Sequence, residues 1–227
     1  MCTLIVNPAK AAPLTLNEFI NLWDNNPDGA GFAYVSGKEV TIIKEMKNPA
    51  ALHTQYLEVR KRNAHPIILH FRISTQGNVN LANAHPFRVN KGLIFAHNGV
   101  LTAAPYDKEK SDTAIFVRDI LQRWPADFDT RPPYIQALNY IAGRANKFAL
   151  LNRHGQATMI NIGGFHIHNG SYYSNKGYLP AYDANPISSA VDYKYPKALP
   201  PTTGTGYYSN CKAKPKVTNE RENWWKY

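Results

Sequence analysis

The sequence predicts a single α+β domain followed by a basic tail. Strand-like and helix-like segments alternate along the first three quarters of the chain. Apolar residues make up 44% of the 227 residues, enough for the core of one domain. Beyond about Tyr182 the periodicity is lost and the composition shifts to Pro, Lys, Gly and Tyr.

Residues 2–6 read as a strand that opens the chain. Thr15 is placed to cap a helix, with Glu18 at the capping-box spacing. Phe19, Ile20, Leu22 and Trp23 give that helix its apolar face. Asn25-Asn26-Pro27-Asp28-Gly29 is a dense turn signal. Residues 32–35 and 40–44 read as strands joined at Ser36-Gly37. A helix is expected over 49–60, a buried strand over 66–71 and another strand over 92–96. Ser111 is placed to cap a helix over 112–123, with Ile115, Phe116, Ile120 and Leu121 inward. A further helix covers 134–142. Residues 148–152 and 157–162 form a hairpin about Arg153-His154-Gly155. No internal repeat is present. The expected division is a domain over 1–182 and a tail over 183–227.

Within that tail, residues 191–227 hold seven Lys or Arg against three Asp or Glu. They read as an extended or partly disordered attachment segment, with Trp224-Trp225 as a short-range anchor.

The whole chain carries 26 Lys plus Arg and 16 Asp plus Glu, a formal charge of +10. That balance allows an anionic partner without requiring one. The two cysteines, Cys2 and Cys211, exclude a disulfide framework and a Cys-rich zinc module. No run approaches the roughly 20 apolar residues of a membrane span. The start lacks the basic region and long apolar stretch of a signal peptide. A soluble cytoplasmic protein is expected. No Walker-type loop or dinucleotide fingerprint occurs, so no cofactor is expected. His166-x-His168 could place two metal ligands on one strand face, but no Cys or carboxylate sits at a supporting spacing, and plain strand residues are the better reading.

Cys2 can carry chemistry. Once Met1 is removed, it holds both a thiol and the chain's α-amine. An amine with a reference pKa of about 7.7–8.0 can serve as general base for a neighbouring thiol of about 8.5. Alone, Cys2 reads better as a small apolar residue opening a strand. Arg72 leaves the end of a buried apolar strand and is followed by Ser74, Thr75 and Gly77, which suits a carboxylate site or an ordinary strand end. Asn98-Gly99 offers a side-chain amide and a backbone N–H to a developing oxyanion, yet it is also the strongest short signal for a hairpin turn.

A Met-Cys start, Asp28-Gly29-Ala30-Gly31, His70-x-Arg72-x-x-Thr75, Asn83-Ala84-His85-Pro86, His97-Asn98-Gly99 and Ser111-Asp112-Thr113 occur in that order. Each is weak alone. Together, over residues 2–175, the sequence resembles the glutaminase domain of the class II glutamine amidotransferases, a branch of the N-terminal nucleophile hydrolases. The resemblance implies four layers, αββα, with helices outside two facing antiparallel sheets. It implies that Cys2 attacks the side-chain amide of glutamine, that its α-amine shuttles the proton, and that Asn98 and Gly99 form the oxyanion hole. It gives the substrate α-carboxylate to Arg72 and the α-ammonium to Asp112. Thr75 adds a hydrogen bond and His85 shapes the pocket. One cation and one anion suit a zwitterion. The products are glutamate and ammonia, by way of a thioester.

Many relatives carry an aromatic residue where Ile73 stands, His where Gln76 stands, and Arg-Gly where Asn25-Asn26 stands. No ammonia-consuming synthase domain follows, so the ammonia is expected to pass to a separate partner protein. Two other readings are an N-terminal-Cys amidase for a different amide, and a non-catalytic protein of this fold that binds nucleic acid through its basic tail. The retained Arg72 and Asp112 argue against a different amide.

Overall fold

The computed structural model describes residues 1–102 and 104–180. The expectations for the tail, Cys211 and Trp224-Trp225 lie outside these residues.

The chain runs β1 (Thr3–Asn7), α1 (Leu16–Asn25), β2 (Ala30–Ser36), β3 (Glu39–Glu45), α2 (Pro49–Arg62), β4 (Ile67–Phe71), β5 (Phe87–Asn90) and β6 (Leu93–Asn98). It continues through α3 (Asp112–Asp119), α4 (Pro132–Ala142), β7 (Lys147–Asn152), β8 (Ala157–Ile160), β9 (His166–His168) and β10 (Ser171–Tyr173). One sheet has the order β3-β2-β4-β1-β10-β9 and the other β5-β6-β7-β8. The strand pairs described are antiparallel.

Alternation along each strand builds the layers. In β1, Leu4 and Val6 meet Ala33, Val35 and Ile68 of their own sheet and Ile94, Ala96, Ala149 and Leu151 of the other, forming the central core. Ile5 points the opposite way. It joins Phe32, Leu69 and Phe71 under Phe19, Leu22 and Trp23 of α1 and Leu52, Tyr56 and Val59 of α2. On the far side, Phe95, Phe148 and Leu150 pack under Phe116 and Val117 of α3 and Leu138 of α4. The order is helices, sheet, sheet, helices, the αββα arrangement expected from the resemblance.

Local signals account for most boundaries. Thr15 accepts from the Glu18 N–H and the Glu18 carboxylate accepts from the Thr15 N–H, so the capping box forms as read. Asn48 caps α2, with Pro49 in its first turn. Two expectations are corrected. The helix over 112–123 is an α-helix only to Asp119, followed by a 3-10 turn at Leu121–Arg123. Pro125 drives Trp124 to extended backbone and ends that helical stretch. Strand β5 lies in a stretch given no element from sequence; its four residues follow Pro86 and are too few to show a period.

Candidate active site

β1 lies between β4 and β10, and its register sets Thr3 opposite Phe71. Cys2 therefore stands beside the exit of β4, where Arg72 and Ile73 follow. The Cys2 Sγ–H donates to the Ile73 carbonyl at 3.2 Å, and the Ile73 N–H approaches the sulfur at 3.4 Å. Burial pushes the thiol above its ordinary pKa. The Ile73 hydrogen bond, the chain's terminal ammonium and Arg72 oppose that rise. Asn175 holds the backbone here: its Nδ2 donates to the Cys2 carbonyl at 2.6 Å and its Oδ1 accepts from Thr3 Oγ1 at 2.7 Å. Asn26 Nδ2 reaches the same Thr3 hydroxyl at 3.3 Å.

Arg72 is buried. Its Nη2 donates to Ser74 Oγ at 2.9 Å, to the Gln76 carbonyl at 2.9 Å and more weakly to the Gly77 carbonyl, while Nη1 donates to the Asn78 carbonyl at 3.3 Å. Nε takes no part in these bonds. The guanidinium thus folds its own loop around itself. Asp28 completes the fold by accepting from the Ser74 N–H at 2.7 Å, which explains the acidic residue in Asp28-Gly29-Ala30-Gly31. Asn83 joins three segments: Nδ2 donates to the Asn78 and Glu109 carbonyls, and Oδ1 accepts from the Ser111 N–H. Gln76 Nε2 donates to the Lys110 carbonyl at 3.2 Å.

Ser111 caps α3 and places Asp112 in its first turn. Asp112 Oδ2 accepts from the Leu101 N–H at 2.7 Å, and Oδ1 from the Thr113 N–H at 2.6 Å and the Thr113 hydroxyl at 3.1 Å. A carboxylate has about four lone-pair sites, so one remains for a further donor.

Three buried histidines lie behind the pocket. His70 Nε2 is 2.9 Å from the His97 carbonyl, which can only accept, so that nitrogen carries the hydrogen. His85 Nδ1, 2.7 Å from the same nitrogen, then accepts. By this hydrogen-bond logic the His85 hydrogen sits on Nε2, buried and without a partner among the described residues. Burial, first of all, holds His70 down to about 3, and it holds His85 well below the ordinary histidine value. His97 is also lowered, mainly by burial. Its Nε2 meets Asn146 Oδ1 at 2.8 Å. That same oxygen lies 2.1 Å from where a Cβ on Gly99 would stand, and Gly99 has φ 142°, so only glycine fits.

Of the residues singled out from sequence, Cys2, Arg72, Thr75, His85, Gly99 and Asp112 line one cavity of about 20 Å³. Thr75 is exposed at its rim. Asn98 ends β6 with its side chain turned to Ser174, Nδ2 lying 2.7 Å from Oγ. The segment after Gly99 leads to α3 and not to a paired strand, so the hairpin reading of Asn98-Gly99 does not hold. His168 bonds Glu18 at 2.9 Å, and no group of three metal-ligating side chains occurs among the described residues. Sequence reasoning gave no role to Asp28, Ser174 or Asn175.

Two antiparallel sheets between helices, with this pocket at the start of the central β1 strand, define the N-terminal nucleophile class of fold. Residues 14–166 match the family model of class-II glutamine amidotransferases, and the chain belongs to that family. An uncharacterized protein of Methanocaldococcus jannaschii is 32% identical over 108 residues, covering 44% of this chain and 30% of that protein. A Haemophilus influenzae protein named "Putative glutamine amidotransferase" is 34% identical over 91 residues, covering 37% of this chain and 30% of that protein. The match thus spans under a third of each of these relatives. The solved allosteric regulatory enzyme of purine biosynthesis shares the fold, with a TM-score of 0.50 at 18% identity over 76% of this chain and 41% of that one. No helix among the described residues is long and apolar enough to cross a membrane.

Proposed function

We propose that the protein hydrolyses the side-chain amide of glutamine to glutamate and ammonia, with Cys2 as nucleophile after removal of Met1. The observation that carries this reading is the single cavity shared by the Cys2 thiol, the Arg72 guanidinium and the Asp112 carboxylate. The α-amine takes the thiol proton as sulfur attacks the amide carbon, and passes it to the leaving ammonia. Burial keeps the thiol protonated at neutral pH, so a base at hand matters. Asn98 and the Gly99 N–H receive the oxyanion. Water then cleaves the thioester. Arg72 binds the α-carboxylate, Asp112 the α-ammonium, Thr75 adds a hydrogen bond, and the His85 Nε2–H donates into the pocket. The ammonia passes to a separate acceptor-modifying partner.

A cavity of about 20 Å³ has room for little more than one water, and glutamine is larger. Substrate entry therefore moves the 73–78 loop outward and exchanges its carbonyls on Arg72 for the substrate carboxylate. Gln76, bonded to the Lys110 carbonyl, is the latch that yields.

An electrophilic glutamine analogue is expected to label one thiol, Cys2, in intact-mass and peptide mass spectrometry; a label on Cys211 refutes the assignment. Offering glutamine, asparagine and an N-acyl amide side by side reads the substrate class, and turnover is expected with glutamine alone.

Steady-state kinetics separates the roles. Arg72→Ala and Asp112→Ala are expected mainly to raise KM, because they remove charges that bind the ground state. Asn98→Ala is expected to lower kcat about 10²–10³-fold, because its donor acts on charge that develops in the transition state. Asn98→Ala changing KM alone contradicts the oxyanion role.

A further inference from the structure

Ser174 follows β10 and is buried, 3% exposed. Its Oγ accepts from the Leu4 N–H at 2.8 Å, and its own N–H donates to the Leu4 carbonyl at 2.8 Å. These bonds fix Ser174 beside β1, two residues from Cys2. The Asn98 amide stands against the same Oγ at 2.7 Å.

With Nδ2 facing Ser174, two groups are left unsatisfied. Asn98 Oδ1 is buried with no partner among the described residues. The Ser174 hydroxyl accepts two N–H groups, and its own hydrogen finds no acceptor among the described residues. A buried unpaired polar atom of this kind is costly. A half-turn of the amide removes one defect and changes the meaning of the other. Ser174 O–H then donates to Oδ1. The NH2 group takes the place where Oδ1 stood, as an unpaired donor.

The half-turn also decides the sign of the interaction with an incoming carbonyl. Asn98 does not itself line the cavity but adjoins Gly99, which does; for a carbonyl brought to that side of its amide, in one orientation a partial negative oxygen faces the developing oxyanion. In the other, an N–H group does. An oxyanion hole needs its donor already aimed and not committed to another acceptor.

We infer that Ser174 is a positioning residue for the proposed oxyanion hole, its hydroxyl donating to Asn98 Oδ1 so that the Asn98 NH2 group faces the reacting carbonyl. The inference rests on the glutaminase reading and deepens it. Leu4 N–H fills one lone pair of the serine oxygen and thereby directs the hydroxyl hydrogen toward Asn98. The residue that follows β10 is therefore a determinant of the proposed site, at a position beyond the residues matched by the family model.

The test uses the full chain, with kcat and KM for glutamine and a thermal melt for each variant. Ser174→Ala is expected to lower kcat about tenfold with KM within about twofold, since the donor stays but loses its orientation. Ser174→Thr, which keeps the hydroxyl, is expected to restore most of that loss. The double variant Asn98→Ala/Ser174→Ala is expected to turn over no more slowly than Asn98→Ala alone, because Ser174 acts through Asn98. If Ser174→Ala fails to fold, Ser174→Cys keeps the size while donating poorly, and the same kcat loss is read there. Unchanged kcat in Ser174→Ala, or losses that add in the double variant, overturns the inference. If Asn98→Ala itself leaves kcat unchanged, the oxyanion reading falls, which is a distinguishable result.

Discussion

Cys2→Ala lowers glutamine turnover roughly 10⁴-fold or more while the melting temperature stays near that of the unaltered chain. The magnitude is the scale on which removing a nucleophile collapses catalysis that depends on several groups acting together. In the proposed mechanism sulfur is the atom that forms and breaks the bond, so nothing else in the pocket would substitute for it. The fold tolerates the change because Cys2 precedes β1 and only its side chain is altered. The backbone bond from Asn175 to the Cys2 carbonyl survives. The thiol's two contacts with Ile73 are a weak S–H donor bond at 3.2 Å and a long N–H approach at 3.4 Å. Ammonia release measured with a coupled assay, beside circular dichroism, reads both parts. Turnover retained within tenfold would show that the sulfur is not the nucleophile.

Acid is expected to unfold this protein more steeply than its carboxylates alone predict. The fold keeps His70, His85 and His97 neutral, burial being the main cause for each. His70 and His85 are lowered further by their histidine neighbours, Arg72 and Lys44. In the unfolded chain the same rings take up protons below about pH 6.5. Their contribution to stability is complete above that pH and is lost as pH falls toward the folded values, about 3 for His70. Each ring that is charged unfolded and neutral folded contributes about 1.4 kcal/mol per pH unit, so His70 and His85 together give about 3 kcal/mol per unit, and His97 adds to this in the same direction. Against a typical total of about 5–15 kcal/mol, that slope unfolds the domain within a few units below pH 6.5. Thermal melts from pH 7.5 to 4 check it, and a melting temperature constant from pH 6.5 to 4.5 contradicts it.

The capping box at Thr15 and Glu18 was legible because both partners lie within one helical turn. So were the cap at Ser111 and the strand over 2–6, whereas the Asn48 cap of α2 was not read. The motif residues Arg72, His85, Gly99 and Asp112 were legible only as an ordered set, since each alone has an ordinary reading. What was hidden depends on distant pairing. The need for glycine at position 99 comes from Asn146, on a different segment. Asp28 gains its role from the Ser74 N–H. Ser174 and Asn175 follow a three-residue strand and carry no local signal, because the groups they hold belong to the other end of the chain.

The pairing of β1 with β10 gives the site a particular place in time. The bond from Asn175 to the Cys2 carbonyl spans 173 positions, and that from Leu4 to Ser174 spans 170. Contacts of such long range are costly to close and form late in folding. Until residues 171–175 dock, Cys2 stands at a strand end that lacks its β10-side partner, and trimming of the first methionine is expected to precede that docking. Docking of β10 would then close that interval and complete the surroundings of the proposed nucleophile. If Cys2 is the nucleophile as proposed, turnover becomes a readout of complete folding, since a chain that has not docked residues 171–175 lacks both the Asn175 bond to the Cys2 carbonyl and the neighbour of Asn98.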